Sequence, residues 1–128
     1  MDVWGFDGCM QVCDEAELLA RLRSDRRGPD GAFILSHGGA ASLWVHIHGD
    51  AAFLWFQRDR EGTHPGFVPD KMWSGERRGV RFLLTSGCLA DSIEVPWWQL
   101  VPVEAAYRAA VEYLHSPERP VSVTWFEL

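Results

Sequence analysis

Apolar and polar positions alternate most plainly between Leu43 and Phe56. Leu43, Val45 and Ile47 are interleaved with Trp44, His46 and His48, Gly49-Asp50 supplies a turn, and Ala52-Phe53-Leu54-Trp55-Phe56 returns as a continuous apolar run. This pattern predicts a β-hairpin. Both arms are too apolar to face water on both sides, so the hairpin belongs to a sheet with a face covered by a helix. Before it, Asp14 and Glu17 form a capping-box pattern, and Leu18, Leu19 and Leu22 supply one apolar stripe. Together they predict a helix over 15–24, ended by Gly28-Pro29-Asp30-Gly31. Phe33-Ile34-Leu35 follows as a strand that stops at Gly38-Gly39, and residues 3–12, broken by Gly5 and Gly8, read as a strand with a bulge.

The second half repeats the theme. After Pro102, the residues Val103, Ala106, Tyr107, Ala110, Val111 and Leu114 fall on one face at helical spacing, with Glu104, Arg108 and Glu112 opposite and His115-Ser116-Pro117 as the stop. Strands are predicted over 80–85, over 93–100, where Pro96 confines the segment to an edge or a bend, and over 121–125. Residues 57–79 carry several Gly and Pro, many charges and the isolated apolar side chains Phe67, Met72 and Trp73, the pattern of a long surface excursion. The order strand, helix, strand meander, helix, strand predicts an α+β fold. It is a single domain over 1–128, with two α-helices packed on a largely antiparallel sheet of about six strands.

Composition narrows the function. A chain of 128 residues, 47% of them hydrophobic, builds a core without staples. Twelve Lys and Arg against eighteen Asp and Glu leave a charge of -6, and the cations are interleaved with acids, so no nucleic-acid partner is expected. Three cysteines and no apolar run after a basic N-terminus argue against a secreted disulfide framework, and no stretch has the length of a membrane span. The expectation is a cytoplasmic protein.

The search for chemistry returns little. His46 and His48 lie two apart on one strand face, a spacing seen in metal ligands, with His37, His64, Cys9 and Cys13 as formal completions. The plainer reading makes the two histidines solvent-facing or partly buried strand positions. Cys88, after Ser86-Gly87, is a formal nucleophile whose base and orienting group nothing identifies, so a partly buried structural thiol is the plainer reading. No P-loop, G-x-G-x-x-G or G-x-S-x-G occurs, and the H-x-E with P-C-x-x-C pair of a nucleic-acid deaminase is absent. Neither catalysis nor a cofactor is expected.

Tryptophan is the unusual feature, at seven residues. Trp97 and Trp98 are adjacent in a predicted strand, so at most one of them faces a single core and the other needs a helix, the long loop or a partner to cover it. Trp73, beside Asp70, Lys71 and Glu76, has the composition of a binding hot spot.

The C-terminal third carries a resemblance. It runs from Val101-Pro102-Val103-Glu104-Ala105-Ala106 through Tyr113-Leu114 and Arg119-Pro120 to Val123-Thr124-Trp125-Phe126-Glu127-Leu128, and the Gly49-Asp50-Ala51 turn with its aromatic strand extends it. It resembles the first family of immunity proteins in bacterial polymorphic toxin systems, whose members include inhibitors of deaminase toxins. The resemblance implies a non-catalytic protein that binds one cognate toxin domain, one to one, and blocks its active site or substrate groove. An acidic inhibitor would be steered toward the basic groove of a toxin that acts on nucleic acid. On that basis Asp50, Glu61, Asp70, Trp73 and Glu76 are the expected interface residues, with Phe67 and Trp97 secondary. The competing class is a small-ligand or metal-binding module built on His46 and His48.

Overall fold

The computed structural model describes residues 1–39, 41–59 and 63–128. Among these, the N-terminal segment is a hairpin, β1 (Asp2–Gly5) and β2 (Gly8–Gln11), where a single bulged strand was expected. Gly8 takes φ 113° at the turn, a conformation open to glycine and strained for other residues. Helix α1 (Glu15–Ser24) has the predicted bounds. The Asp14 carboxylate accepts from the Glu17 N–H at 2.9 Å and the Glu17 carboxylate accepts from the Cys13 N–H at 3.3 Å, so two of the donors orphaned at the helix start are satisfied.

Strands β3 (Asp30–Ser36), β4 (Ser42–His48) and β5 (Ala51–Gln57) form the continuous centre of the molecule. Three short strands complete one edge: β6 (Phe67–Pro69), β9 (Val101–Pro102) and β10 (Trp125–Glu127). The main sheet has eight described strands, all antiparallel, in the order β10-β6-β5-β4-β3-β1-β2, with β9 on β5. Because β4 occupies the whole of one side of β5, β6 and β9 share the other. Phe56 pairs with Phe67 at one end, and Ala51 and Ala52 pair with Pro102 and Val101 at the other. Helix α2 (Val103–His115) starts directly from β9 and packs beside α1 on β4 and β5.

One face of this sheet is the predicted one. Val3, Phe33, Leu35, Leu43, Val45, Ile47, Leu54 and Phe56 point toward Leu18 and Leu22 of α1 and toward Ala106, Ala109, Ala110 and Tyr113 of α2, all buried. The opposite face is covered too, and among the described residues no α-helix covers it. Strands β7 (Val80–Leu83) and β8 (Ser92–Val95), expected in the meander, form a separate two-stranded sheet. It lays Phe82 and Val95 over Ala51 and Phe53, with Val68 and Leu100 completing this second core. The doubly apolar arms of the β4–β5 hairpin are thereby buried on both sides.

Three expected segments differ. The strand over 93–100 ends at Val95, since Pro96 leads into a 3₁₀ turn over Trp97–Gln99 closed by hydrogen bonds from Gln99 N to Pro96 O and from Leu100 N to Trp97 O. The excursion over 57–79 is not all surface, because Phe67, Val68 and Pro69 are buried in the sheet. The C-terminal strand starts at Trp125, not at Val121, which is 92% exposed. Residues 121–124 are held instead as a turn in which the Glu112 carboxylate accepts from the N–H and hydroxyl of Ser122, and the indole of Trp125 donates to Pro120 O at 2.8 Å.

Candidate functional site

The edge where β6, β10 and the 3₁₀ turn meet carries the surface best suited to recognition. As the chain leaves β6, the Asp70 N–H donates to Thr124 O and the Lys71 N–H donates to Trp98 O, both at 2.9 Å. Lys71 has φ 57°, the only positive φ at a non-glycine among the described residues. Holding a lysine there costs of order 1 kcal/mol or more, which the two flanking hydrogen bonds sustain. The knot fixes the 3₁₀ turn so that its two tryptophans part. Trp97 packs on the second core with the Arg77 guanidinium 5.0 Å above its ring, and Trp98, perpendicular to it, stands 48% exposed. Phe126 of β10, paired with Val68, is 54% exposed. Pro69, Asp70, Trp98, Gln99 and Phe126 line a cleft of about 110 Å³. Asp70 is half-buried, and among the described residues no side chain or backbone donor pairs with its carboxylate.

Trp73 lies just beyond this cleft in the chain, half-buried against the second core, its indole donating to Glu76 O at 3.0 Å. Gly75 permits that arrangement, since a Cβ there would sit 2.6 Å from the Trp73 ring. The Glu76 carboxylate is exposed and paired with Arg78 at 3.0 Å.

The histidine pair does not form a site. His46 is fully buried, contrary to a solvent-facing or half-buried place, because β7 closes over it. Its Nδ1–H donates to Leu83 O at 3.3 Å, its ring stacks 6.0 Å from Phe53, and Nε2 has no partner among the described residues. Burial pushes its pKa down to about 4, against the smaller opposing pull of the Leu83 carbonyl. His48 is exposed and bonds Asp30 at 2.8 Å, so the two rings serve different partners. Among the described residues no three His, Cys, Asp or Glu gather as metal ligands. Cys88 is exposed, where a partly buried thiol was expected, and Cys9 and Cys13 are exposed and free as well. No helix among the described residues is long and apolar enough to cross a membrane.

The family described as Immunity protein Imm1 matches residues 11–127, which take in both helices, the second sheet and all of the main sheet beyond its first hairpin. The chain belongs to the Imm1 family. The resemblance read from the C-terminal third and the central hairpin is thus borne out. No curated protein matches the chain.

Within this Imm1 chain the expected interface residues scatter. Asp70, Trp73, Glu76 and Trp97 fall on one stretch of surface around the second core. Asp50 is exposed at the β4–β5 turn, where its carbonyl accepts from the Val103 N–H that opens α2, at the β9 end of the same edge. Phe67 is 1% exposed, a core residue that carries Arg58 and Arg119 over its ring at 4.7 and 4.3 Å. Glu61 lies outside the described residues. Two prominent surface aromatics were missed. Trp98 was signalled by the rule that adjacent tryptophans diverge, but Phe126 was read only as part of a resemblance. A second feature also went unread. The register places Trp4, Ile34, Trp44 and Trp55 in one row across four strands on the face away from the helices, with Trp4 49% exposed and Trp44 5.5 Å from Trp55.

Proposed function

We propose that this Imm1 protein neutralises a cognate toxin by binding it, without catalysis, and that the surface around Asp70, Trp98 and Phe126, flanked by Trp73 and Glu76, meets the toxin. The observation that carries this reading is the pair of half-exposed aromatics beside a half-buried carboxylate with no partner among the described residues, on a chain whose family is one of immunity proteins. Large aromatics ringed by polar groups have the anatomy of interface hot spots. The net charge of -6 supports a basic partner, and the toxin is proposed to be a nucleic-acid deaminase of a polymorphic toxin system. The complex is one to one, forms in the cytoplasm, and involves no nucleic acid on this chain's side.

The test is co-expression with the toxin domain encoded beside this chain, followed by association kinetics on the purified pair. Wild type should restore growth and co-purify. Asp70→Lys with Glu76→Lys should slow association about tenfold at low salt, with the difference shrinking as salt screens the charges. A folded wild-type chain that neither co-purifies nor protects would refute the reading.

A further inference from the structure

We infer that the cleft between Trp98 and Phe126 is a receptor for one guanidinium side chain, an arginine that the partner inserts; this rests on the binding role proposed above and specifies its anchor. Size is the first reason. At about 110 Å³ the cleft is well below the roughly 300 to 1,000 Å³ of small-molecule sites. It has room for about four waters' worth of atoms, which is the scale of a single side chain.

Charge is the second. Asp70 is half-buried and takes no ion pair or hydrogen bond at its carboxylate within the described chain, although Lys71 is its neighbour in sequence. An apolar guest would strip water from that carboxylate and give nothing back, and an acidic guest would be repelled. A cation that also donates hydrogen bonds offsets the desolvation most fully, about twice as strongly as a neutral donor.

The third reason selects guanidinium over ammonium. Two aromatic rings and a carboxylate suit a planar cation that stacks and donates in the same plane, and the Gln99 amide adds a polar group to the wall. The fold already uses this pairing, with Arg23 on Tyr107, Arg27 on Phe6, Arg58 and Arg119 on Phe67, and Arg77 on Trp97. Arg77 therefore occupies Trp97, whereas among the described residues no cation lies over Trp98 or Phe126. The left-handed Lys71, tied to Trp98 O, is the backbone device that holds the carboxylate and the indole together.

The cleft can be tested without the toxin by following the tryptophan indole signals of the intact ¹⁵N-labelled chain during titration with N-acetyl-arginine amide, and separately with the neutral isostere N-acetyl-citrulline amide. The Trp98 indole and the Gln99 amide should shift saturably with the arginine compound, with a dissociation constant in the millimolar range expected of one side chain. Citrulline should leave them in place. Asp70→Asn should abolish the response at both signals and Trp98→Ala should abolish it at the Gln99 amide that remains as reporter, whereas Glu104→Gln, exposed on α2, should leave it unchanged. Equal shifts with both compounds, or none with arginine, would overturn the inference.

With the toxin domain, Asp70→Asn and Trp98→Ala should each weaken the complex at least about tenfold with the fold intact by the same spectra. If wild type binds and protects while neither variant changes affinity, the receptor is wrong and the immunity reading stands. If the arginine compound binds the cleft but the toxin domain does not bind the chain, the immunity reading fails and the arginine site stands.

Discussion

Tyr113→Ala should lower the unfolding free energy by about 4 kcal/mol, the range for an aromatic removed from a closed core. Tyr113 is the largest fully buried side chain of the molecule's described part and joins the last turn of α2 to the sheet. Its ring meets Phe56 edge-on at 6.5 Å and His37 at 5.0 Å, its hydroxyl donates to Ala41 O at 3.0 Å, and its carbonyl accepts from His37 Nε2 at 2.6 Å. Tyr113→Phe keeps the packing and leaves only the Ala41 carbonyl without its donor, so about 1 to 2 kcal/mol should be lost. Urea unfolding of the three proteins at pH 7 checks both values. Equal losses would mean that the hydroxyl, not the ring, is what the core requires. Since α2 starts directly from β9, which follows the 3₁₀ turn, loosening the helix also loosens the mount of Trp98.

Acid should destabilise the protein through His46 before most carboxylates titrate. Its pKa is about 4 in the folded chain against 6.5 in the unfolded one, so well above pH 6.5 the ring is neutral in both states and contributes no pH dependence. As pH falls from 6.5 toward 4 the unfolded state takes up a proton that the buried ring refuses. The resulting loss of stability grows across that window to about 3 kcal/mol and then levels off. His46→Leu removes the titrating group while filling the space between Phe53 and β7. Unfolding free energies at pH 7 and pH 4 should therefore fall about 3 kcal/mol further for wild type than for the variant, the carboxylate contributions being common to both. Parallel pH profiles would mean that His46 is accessible to protons in the folded state.

The parts of this fold that were legible in the sequence are those specified locally. The Asp14–Glu17 cap and three leucines set α1 to the residue, the Val103 to Leu114 stripe set α2, and alternation with a Gly-Asp turn set the β4–β5 hairpin. What escaped depends on which element covers which face. Alternation places His46 and Phe53 on one side of the sheet but does not say that β7 and β8 leave the meander to close over it. Strand β6 was hidden because three residues flanked by charge and glycine give no periodicity.

The candidate surface shows the same division. Asp70, Trp73 and Glu76 were legible as an acidic and aromatic stretch, and Trp97 separately as one of two adjacent tryptophans. The cleft that Asp70 shares with Trp98 and Phe126 was not, since Phe126 reaches it through the β6–β10 pairing and Trp98 through a 3₁₀ turn that breaks strand alternation. Phe67 was misplaced for a related reason. An isolated aromatic in a charged loop looks exposed until the sheet edge that buries it is known.

The most direct test of neutralisation by binding is to titrate the purified toxin domain encoded beside this chain with the purified chain and follow the toxin's own activity. Activity should fall linearly to zero at about one equivalent, as tight one-to-one binding requires. Full toxin activity in the presence of excess folded chain would contradict it.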